Sequence, residues 1–356
     1  MRQIRISRRS SATPRPLGGK QVTVVLELKA RFDEGANIAW ARLLEEAGVH
    51  VVYGLVGLKT HCKVCLVVRR EDGRIRRYVH MSTGNYNPTT ARLYTDLSYF
   101  TAREAFADDA GALFNLLTGY SSPPSWKRFA VAPLGLAERV LELIERERGF
   151  KSGGRIVAKM NALADPKVIG ALYQASQAGV QIELLVRVIC CLRAGVPGLS
   201  ENIRVTSVVD RFLEHTRIFF FEAGGRREVY LSSADWMPRN FIRRIEVMFP
   251  IEDEAVRARL IEELLATTLS DSAKASRLLP DGTYERLRPD AGTGRPPVRS
   301  QQRFIELAQG ATSLPSEPRL PPEHRGPSVP RSSGPMSAAP AAPATAAGAA
   351  ATQLAS

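Results

Sequence analysis

Residues 57–70, GLKTHCKVCLVVRR, place His61 and Lys63 two positions apart in an apolar, β-branched run that ends in paired arginines. Such a run favours a strand. The dipeptide Asp72-Gly73 follows and tolerates the positive φ angles of a tight turn, after which residues 75–87, IRRYVHMSTGNYN, return as a second strand. The stretch therefore predicts a β-hairpin with His61 near its start, where a histidine is either a structural residue or a nucleophile.

The segments around this hairpin alternate between strand and helix patterns. On its N-terminal side, residues 21–28 and 49–55 read as strands that flank a helix over residues 34–48, with Asp33 as its cap. In the second half of the chain, Asp165 and Pro166 begin a helix over residues 165–179. It is followed by strands at 180–188 and 202–209 and by a second hairpin, HTRIFFFEAGGRREVYLSSADW, at residues 215–236. This alternation predicts an α/β fold.

The two halves of the chain look like copies of one unit. Arg31 precedes His61 by 30 residues, and Arg187 precedes His215 by 28. Each arginine ends a corresponding strand, and Lys63 matches Arg217. The sequence STGN, which ends at Asn85, matches SSAD, which ends at Asp235. We therefore predict two mixed-sheet halves related by a pseudo-twofold axis, with His61 and His215 meeting at the seam.

Such a seam has the composition of an anion site, lined by Arg31, Lys63, Arg187 and Arg217. Imidazole is nucleophilic near neutral pH, and its attack on phosphorus gives a phosphoramidate that a second acceptor can displace. Arginine forks and a lysine charge would hold the phosphoryl oxygens. A P-loop motif for nucleotide phosphates is absent from the sequence.

Composition and charge limit the protein class. The 356 residues are 44% hydrophobic, enough for two modest domains, and the net charge of +13 favours a polyanionic partner. Four cysteines without a secretory pattern, and no long apolar span, favour a cytoplasmic protein, in solution or at the membrane surface. We interpret Cys62 and Cys65 as buried small apolar residues.

The chain divides into four predicted parts. They are a basic, disordered arm at 1–19, a first half at 20–128, a second half at 129–305, and a disordered Pro/Ala-rich tail at 306–356.

Several segments together resemble the polyphosphate kinases built on the phospholipase D-like fold. They are residues 22–54, residues 57–71, STGNYNPTTARLYTDL at 82–97, IVAKMNALADP at 156–166, residues 208–225 and RRIEVMFPI at 243–251. The resemblance runs from about residue 20 to residue 305. It implies two phospholipase D-like halves, of which the first is incomplete, and it identifies the chain as the C-terminal catalytic portion of the family, truncated at the N-terminus.

The resemblance also implies an activity and residue roles. His61 would be the autophosphorylated nucleophile, Lys63 and His215 its catalytic neighbours, and Tyr94, Arg187 and His215 the ATP contacts. Arg31, Asn85 and Arg217 would add phosphate contacts, and Arg31 is associated with Mg²⁺ through its backbone or a phosphate. The implied reaction transfers the ATP γ-phosphate reversibly to polyphosphate, without nucleic acid as a partner.

Two alternatives to this activity remain open. The first is a catalytically incomplete protein that binds polyphosphate or has a regulatory role. For the enzyme and for this alternative alike, the expected protein partners are further copies of the chain or a separate N-terminal chain. The second is a phospholipase D-like phosphodiesterase, which is disfavoured because such enzymes require His-x-Lys in both halves, whereas the second half here has His-Thr-Arg, residues 215–217.

Overall fold

The computed structural model describes residues 19–27, 34–119, 125–288 and 296–310. Most of the predicted arm and tail, residues 1–18 and 311–356, lies outside the described residues. Arg31 and the predicted cap Asp33 also lie outside them.

The described residues form seventeen strands and eight α-helices. The strands are β1 (Thr23–Val25), β2 (His50–Val52), β3 (Lys59–Thr60), β4 (Lys63–Glu71), β5 (Arg74–Ser82), β6 (Tyr94–Thr95), β7 (Ser98–Thr101), β8 (Ala130–Ala132), β9 (Arg155–Leu163), β10 (Gln181–Cys190), β11 (Ile203–Val208), β12 (Leu213–Glu214), β13 (Ile218–Phe221), β14 (Glu228–Ser232), β15 (Arg244–Pro250), β16 (Ala275–Leu278) and β17 (Tyr284–Arg286). The helices are α1 (Glu34–Glu46), α2 (Glu104–Leu117), α3 (Leu136–Gly149), α4 (Pro166–Gln177), α5 (Pro238–Arg243), α6 (Glu254–Ala258), α7 (Ala266–Leu269) and α8 (Ser300–Ala308), with a π-helical segment, Arg259–Leu265, joining α6 to α7. None of the helices in these ranges is long and apolar enough to cross a lipid bilayer.

The second half contains most of a ten-stranded mixed sheet in the order β17-β16-β11-β10-β9-β13-β14-β15-β3, with β8 paired to β15. Strands β9, β10 and β11 are parallel, and β13, β14 and β15 are antiparallel. Strand β9 joins these two parts, because it is parallel to β10 on one side and antiparallel to β13 on the other. The predicted α/β class and mixed sheet are confirmed.

The first half repeats this plan with fewer strands. Strands β1 and β2 are parallel, as are β10 and β11, and β4, β5 and β7 form an antiparallel sheet like β13, β14 and β15. The hairpin turns at Asp72 and Gly73, whose φ angles are 50° and 74°, as predicted. Within the described residues the first half has no counterpart of β9, so its parallel and antiparallel strands form separate sheets.

The two halves exchange short strands at the positions that carry the histidines. Strand β3, just before His61, pairs in parallel with β15 of the second half. Strand β12, just before His215, pairs in parallel with β6 of the first half. Each histidine is therefore held by the opposite half.

Two apolar clusters hold the elements together. One lies between α3, α4 and the second-half sheet and includes Phe219, Phe221 and Trp236. The other joins α2, the π-helical segment and both halves, and it includes Phe106 and Phe220. Full burial of a large apolar side chain contributes about 1.5–3 kcal/mol. These clusters therefore provide a rigid support for the seam.

Helix α4 begins as the sequence predicts. Asp165 caps it by accepting hydrogen bonds from the backbone N–H groups of Lys167 and Val168, and Pro166 occupies its first turn. The prediction that Cys62 and Cys65 are both buried is wrong for Cys65, which is exposed. Cys62 is partly buried. Phe219, which takes the place of Cys65 in the second half, is buried in the cluster that includes α3 and α4.

Candidate active site

His61 lies immediately after β3 and is fixed through its backbone and its ring. The backbone N–H groups of His61 and Cys62 both donate to the carbonyl of Ile245, at 3.0 and 2.9 Å. The ring Nδ1 lies 2.9 Å from Oε2 of Glu246, a fully buried residue of β15. Since a carboxylate only accepts hydrogen bonds, Nδ1 carries the proton and Nε2 keeps its lone pair.

His215 has a matching arrangement on the other side of the seam. Its Nδ1 lies 2.8 Å from Oδ1 of Asp96, which follows β6. The hydroxyl of Thr83 donates to Asp96 at 2.8 Å, and the hydroxyl of Ser233 donates to Glu246 at 2.5 Å. The predicted duplication therefore extends to individual hydrogen bonds.

The hydrogen bond between Asp96 and His215 explains why a glycine, Gly84, occupies the third position of STGN. A Cβ atom on Gly84 would collide with the carboxylate of Asp96. A larger residue would push this acid away from His215, so the glycine preserves the hydrogen bond between them.

The residues two positions after each histidine are cations that fold back on it. Lys63 Nζ donates to the carbonyl oxygen of His61, and Arg217 Nη1 donates to that of His215 at 2.7 Å. The predicted match between Lys63 and Arg217 is confirmed by this shared contact. Both side chains are buried, with 7% and 4% of their surface exposed.

The two cations, Lys63 and Arg217, differ in whether a carboxylate is paired with their charge. Arg217 forms a two-bond pair with Asp235, Nε to Oδ1 at 3.1 Å and Nη2 to Oδ2 at 3.0 Å. Among the described residues, Lys63 forms no ion pair with a carboxylate. Burial lowers the pKa of Lys63 and the charge of Glu246 offsets this cost only in part, so the buried ammonium remains costly unless a ligand supplies further negative charge. The position of Lys63 therefore indicates an anion beside His61.

The electrostatics favour a neutral His61. Burial lowers its pKa to about 4, because the attraction of Glu246 offsets the cost of desolvation only in part and the charge of Lys63 lowers the pKa further. Burial likewise lowers the pKa of Lys63 to about 8. At pH 7 the pair is thus a neutral imidazole beside a protonated amine.

The free ring nitrogens of the two histidines are not equivalent. Nε2 of His215 lies 3.1 Å from Nη1 of Arg217 and can accept its hydrogen. Within the described residues, no group is hydrogen-bonded to Nε2 of His61. Burial lowers the pKa of His215 as well. His61 is therefore the histidine with a lone pair available for attack.

The remaining predicted residues fall into three groups. The Tyr94 ring lies 5.0 Å from that of His215, centroid to centroid, and Arg187 lies close enough to Tyr94 and Asp235 for their charges to affect its pKa. Asn85 is exposed in the loop after β5. Arg31 lies outside the described residues, so the structure places Tyr94, Arg187 and Arg217 with the histidines but does not place Arg31.

The described residues do not fit a direct Mg²⁺ site. No group of three or more His, Cys, Asp or Glu side chains within these ranges could hold a metal ion. The nearby carboxylates of Asp96, Asp235 and Glu246 are already bonded to histidine or arginine.

Sequence reasoning missed the two acids that orient the histidines. Asp96 follows Thr83 by 13 residues, and Glu246 follows Ser233 by 13 residues. This equal spacing after the matched STGN and SSAD segments would have shown that the two acids occupy corresponding positions, although not which histidine each contacts.

Comparison with known proteins agrees with this geometry. Residues 129–301 match the family model described as polyphosphate kinase C-terminal domain 2, and residues 15–123 match C-terminal domain 1. A polyphosphate kinase from Synechocystis sp. is 54% identical over 306 residues, which are 85% of this chain and 41% of that protein. Polyphosphate kinase 1 from Chlorobaculum tepidum is 53% identical, over 81% of this chain and 41% of its own length.

A solved structure shows the same relationship. The crystal structure of polyphosphate kinase from Porphyromonas gingivalis aligns with a TM-score of 0.75 and 40% identity, over 83% of this chain and 45% of that one. The chain thus spans less than half the length of these relatives. On the matched domains and the shared fold, the chain belongs to the polyphosphate kinase family, of which it represents the C-terminal portion.

Proposed function

We propose that the chain carries a phosphotransfer site that moves the γ-phosphoryl group of ATP reversibly to the end of a polyphosphate chain, through a phosphohistidine at His61. The observation that carries the proposal is the arrangement at His61. Its Nδ1 is bonded to buried Glu246, its Nε2 has no bond to a described residue, and the buried cation Lys63, which forms no ion pair with a described carboxylate, lies beside it. The names of the relatives supply polyphosphate and a kinase reaction, and ATP is the phosphoryl donor that the resemblance implies.

In the first step, the Nε2 lone pair of His61 attacks the γ-phosphorus. The N–P bond forms as the bond from phosphorus to the β,γ-bridging oxygen breaks, and the electron pair leaves with ADP. The imidazole becomes cationic, and Glu246 stabilises this charge through the Nδ1–H bond.

In the second step, a terminal oxygen of polyphosphate attacks the same phosphorus. The N–P electron pair returns to Nε2, and polyphosphate is longer by one unit. Neither step needs a proton from outside. Lys63 stabilises the negative charge on the transferred group, which is the main requirement of phosphoryl transfer.

The other cations of the seam bind the flanking phosphates in this proposal. Arg187 provides hydrogen-bond donors, Arg217 adds positive charge beside His215, and Tyr94 packs against His215. Mg²⁺ remains an expectation from the resemblance. It would enter with ATP, held by phosphate oxygens.

A second candidate function is polyphosphate binding without transfer. It is favoured by one observation, that the chain spans only 41% of the relatives' length. Both functions use the same anion site, but only the first requires His61 to react.

The test is ATP formation from ADP and polyphosphate, followed by luminescence. We expect activity in the wild type, none in His61→Gln, and wild-type activity in His50→Gln, since His50 is an exposed residue of β2 whose side chain makes none of the contacts described for the seam. Polyphosphate binding without ATP formation by the wild type would favour the second function. Equal activity in His61→Gln would exclude the phosphohistidine.

A further inference from the structure

Strand β10 contains an irregularity at Arg187. Strands β9 and β10 pair in register up to Met160 and Val186, and pairing resumes at Ala162 and Ile189. Between these pairs, Asn161 alone faces two residues of β10, Arg187 and Val188. Such bulges change the direction of a side chain and are frequent beside active sites.

The bulge places the Arg187 guanidinium against the Asn161 side chain. Nε of Arg187 donates to Oδ1 of Asn161 at 3.0 Å. Because a guanidinium is planar, a hydrogen bond to Nε fixes the plane in which the two Nη groups lie. Neither Nη group has a hydrogen-bond partner within the described residues, so both remain available to a ligand.

Asn161 is also bonded to the seam on its other side. Its Nδ2 donates to Oδ1 of Asp235 at 3.1 Å and to the carbonyl of His215 at 3.3 Å. Its backbone N–H donates to the same Asp235 oxygen at 2.8 Å. Asp235 in turn pairs with Arg217.

An asparagine side chain can make all of these hydrogen bonds at position 161. Asn161 is 6% exposed and uses both amide donors and its acceptor. An aspartate would accept from Arg187 but would repel Asp235, and a leucine would remove the side-chain hydrogen bonds to all three partners. The amide therefore connects Arg187 to the residues that hold His215.

We propose that Asn161 is a positioning residue of the phosphotransfer site, which orients the Arg187 guanidinium for a phosphate group of the substrate. This inference rests on the proposed function, and it names a residue that acts through Arg187 without touching the substrate. Hydrogen bonds that orient the ligands of a metal contribute about 10-fold or more to its affinity, and we expect an effect of similar size for phosphate binding here.

A double-mutant cycle tests this role in the full chain. Binding of inorganic tripolyphosphate is measured by calorimetry for the wild type, Asn161→Ala, Arg187→Ala and the double variant. If Asn161 acts through Arg187, each single change weakens binding about 10-fold, and the double variant binds no more weakly than Arg187→Ala. Additive losses, about 100-fold in the double variant, or unchanged binding in Asn161→Ala, would overturn the inference.

A matched asparagine provides the control. Asn202 lies immediately before β11, and its side-chain Nδ2 donates to the carbonyl of Ser176. The Asn202→Ala variant should bind tripolyphosphate like the wild type. Should Asn161→Ala fail to fold, Asn161→Ser takes its place, because a serine hydroxyl is too short to replace the amide at both Arg187 and Asp235.

A spectroscopic measurement separates positioning from a general loss of structure. The Nε–H resonance of Arg187 should shift and exchange faster with water in Asn161→Ala, while amide resonances of α4 stay in place. An unshifted Nε–H resonance would contradict the inference. A wild-type chain that binds no tripolyphosphate would refute the proposed function itself, whereas a wild type that binds with an additive cycle would refute only the role of Asn161.

Discussion

Replacing Lys63 by methionine should stabilise the fold and abolish phosphoryl transfer. Burial lowers the Lys63 pKa from its ordinary 10.5 to about 8. One unit corresponds to 1.36 kcal/mol, so keeping the ammonium protonated at pH 7 costs about 3 kcal/mol. Methionine has a similar shape without the charge, but it loses the hydrogen bond to the His61 carbonyl, worth about 1 kcal/mol. The net gain expected at pH 7 is about 2 kcal/mol.

The pH dependence of this gain identifies its cause. Between pH 8 and 10.5 the unfolded chain binds a proton at Lys63 that the folded chain does not, so wild-type stability rises with pH. The advantage of Lys63→Met should therefore be full below pH 8 and vanish by about pH 10.5.

Urea unfolding at pH 7 and pH 10 measures both quantities. Lys167→Met is the matched control, since Lys167 is an exposed residue of α4 and its replacement should leave stability unchanged at either pH. A Lys63→Met variant less stable than the wild type by the same amount at both pH values would refute the view of Lys63 as an uncompensated buried charge.

Three further outcomes follow from the same geometry. The kcat/KM for polyphosphate should fall above pH 8, because Lys63 loses its proton there. Between pH 6 and 7.5 it should be constant, because His61, with a pKa of about 4, is already neutral; a change in kcat/KM centred on pH 6.5 would contradict this. Glu246→Gln should slow labelling of His61 by about 10- to 100-fold in rapid-quench experiments, since an amide accepts from Nδ1 without stabilising the imidazolium, and an unchanged rate would argue against Glu246. Asp235→Asn should lower the free energy of unfolding by about 3 kcal/mol, measured in urea, because it leaves Arg217 buried without its anion; a loss below about 1 kcal/mol would contradict the ion-pair account.

Local pattern was enough to predict the hairpin around residues 57–87. The alternation of β4 and β5 and the Asp72-Gly73 turn depend on neighbouring residues, and both are present in the structure. The match of Lys63 with Arg217 was also visible, because the two halves are copies and each copy carries its own cation.

The partners of the histidines could not be predicted in the same way. Glu246 is 185 residues from His61, and Asp96 is 119 from His215. These contacts depend on the exchange of β3 and β12 between halves, which no local pattern specifies. The bulge at Arg187 was hidden for a similar reason, since it appears only when β10 is paired with β9.

Two other elements were missed although their signal was present. Helices α2 and α3 bury residues at helical spacing, among them Phe106, Ala110 and Leu113 in α2 and Leu136, Val140 and Leu143 in α3.

The central claim is that His61 is the nucleophile and His215 is not. Incubation with γ-labelled ATP and Mg²⁺, followed by gel analysis under alkaline conditions, tests it on the wild type, His61→Gln and His215→Gln. We predict acid-labile, alkali-stable label on the wild type that is absent from His61→Gln, with mass spectrometry locating the phosphate on His61 Nε2. Label that persists in His61→Gln and disappears in His215→Gln would contradict the assignment.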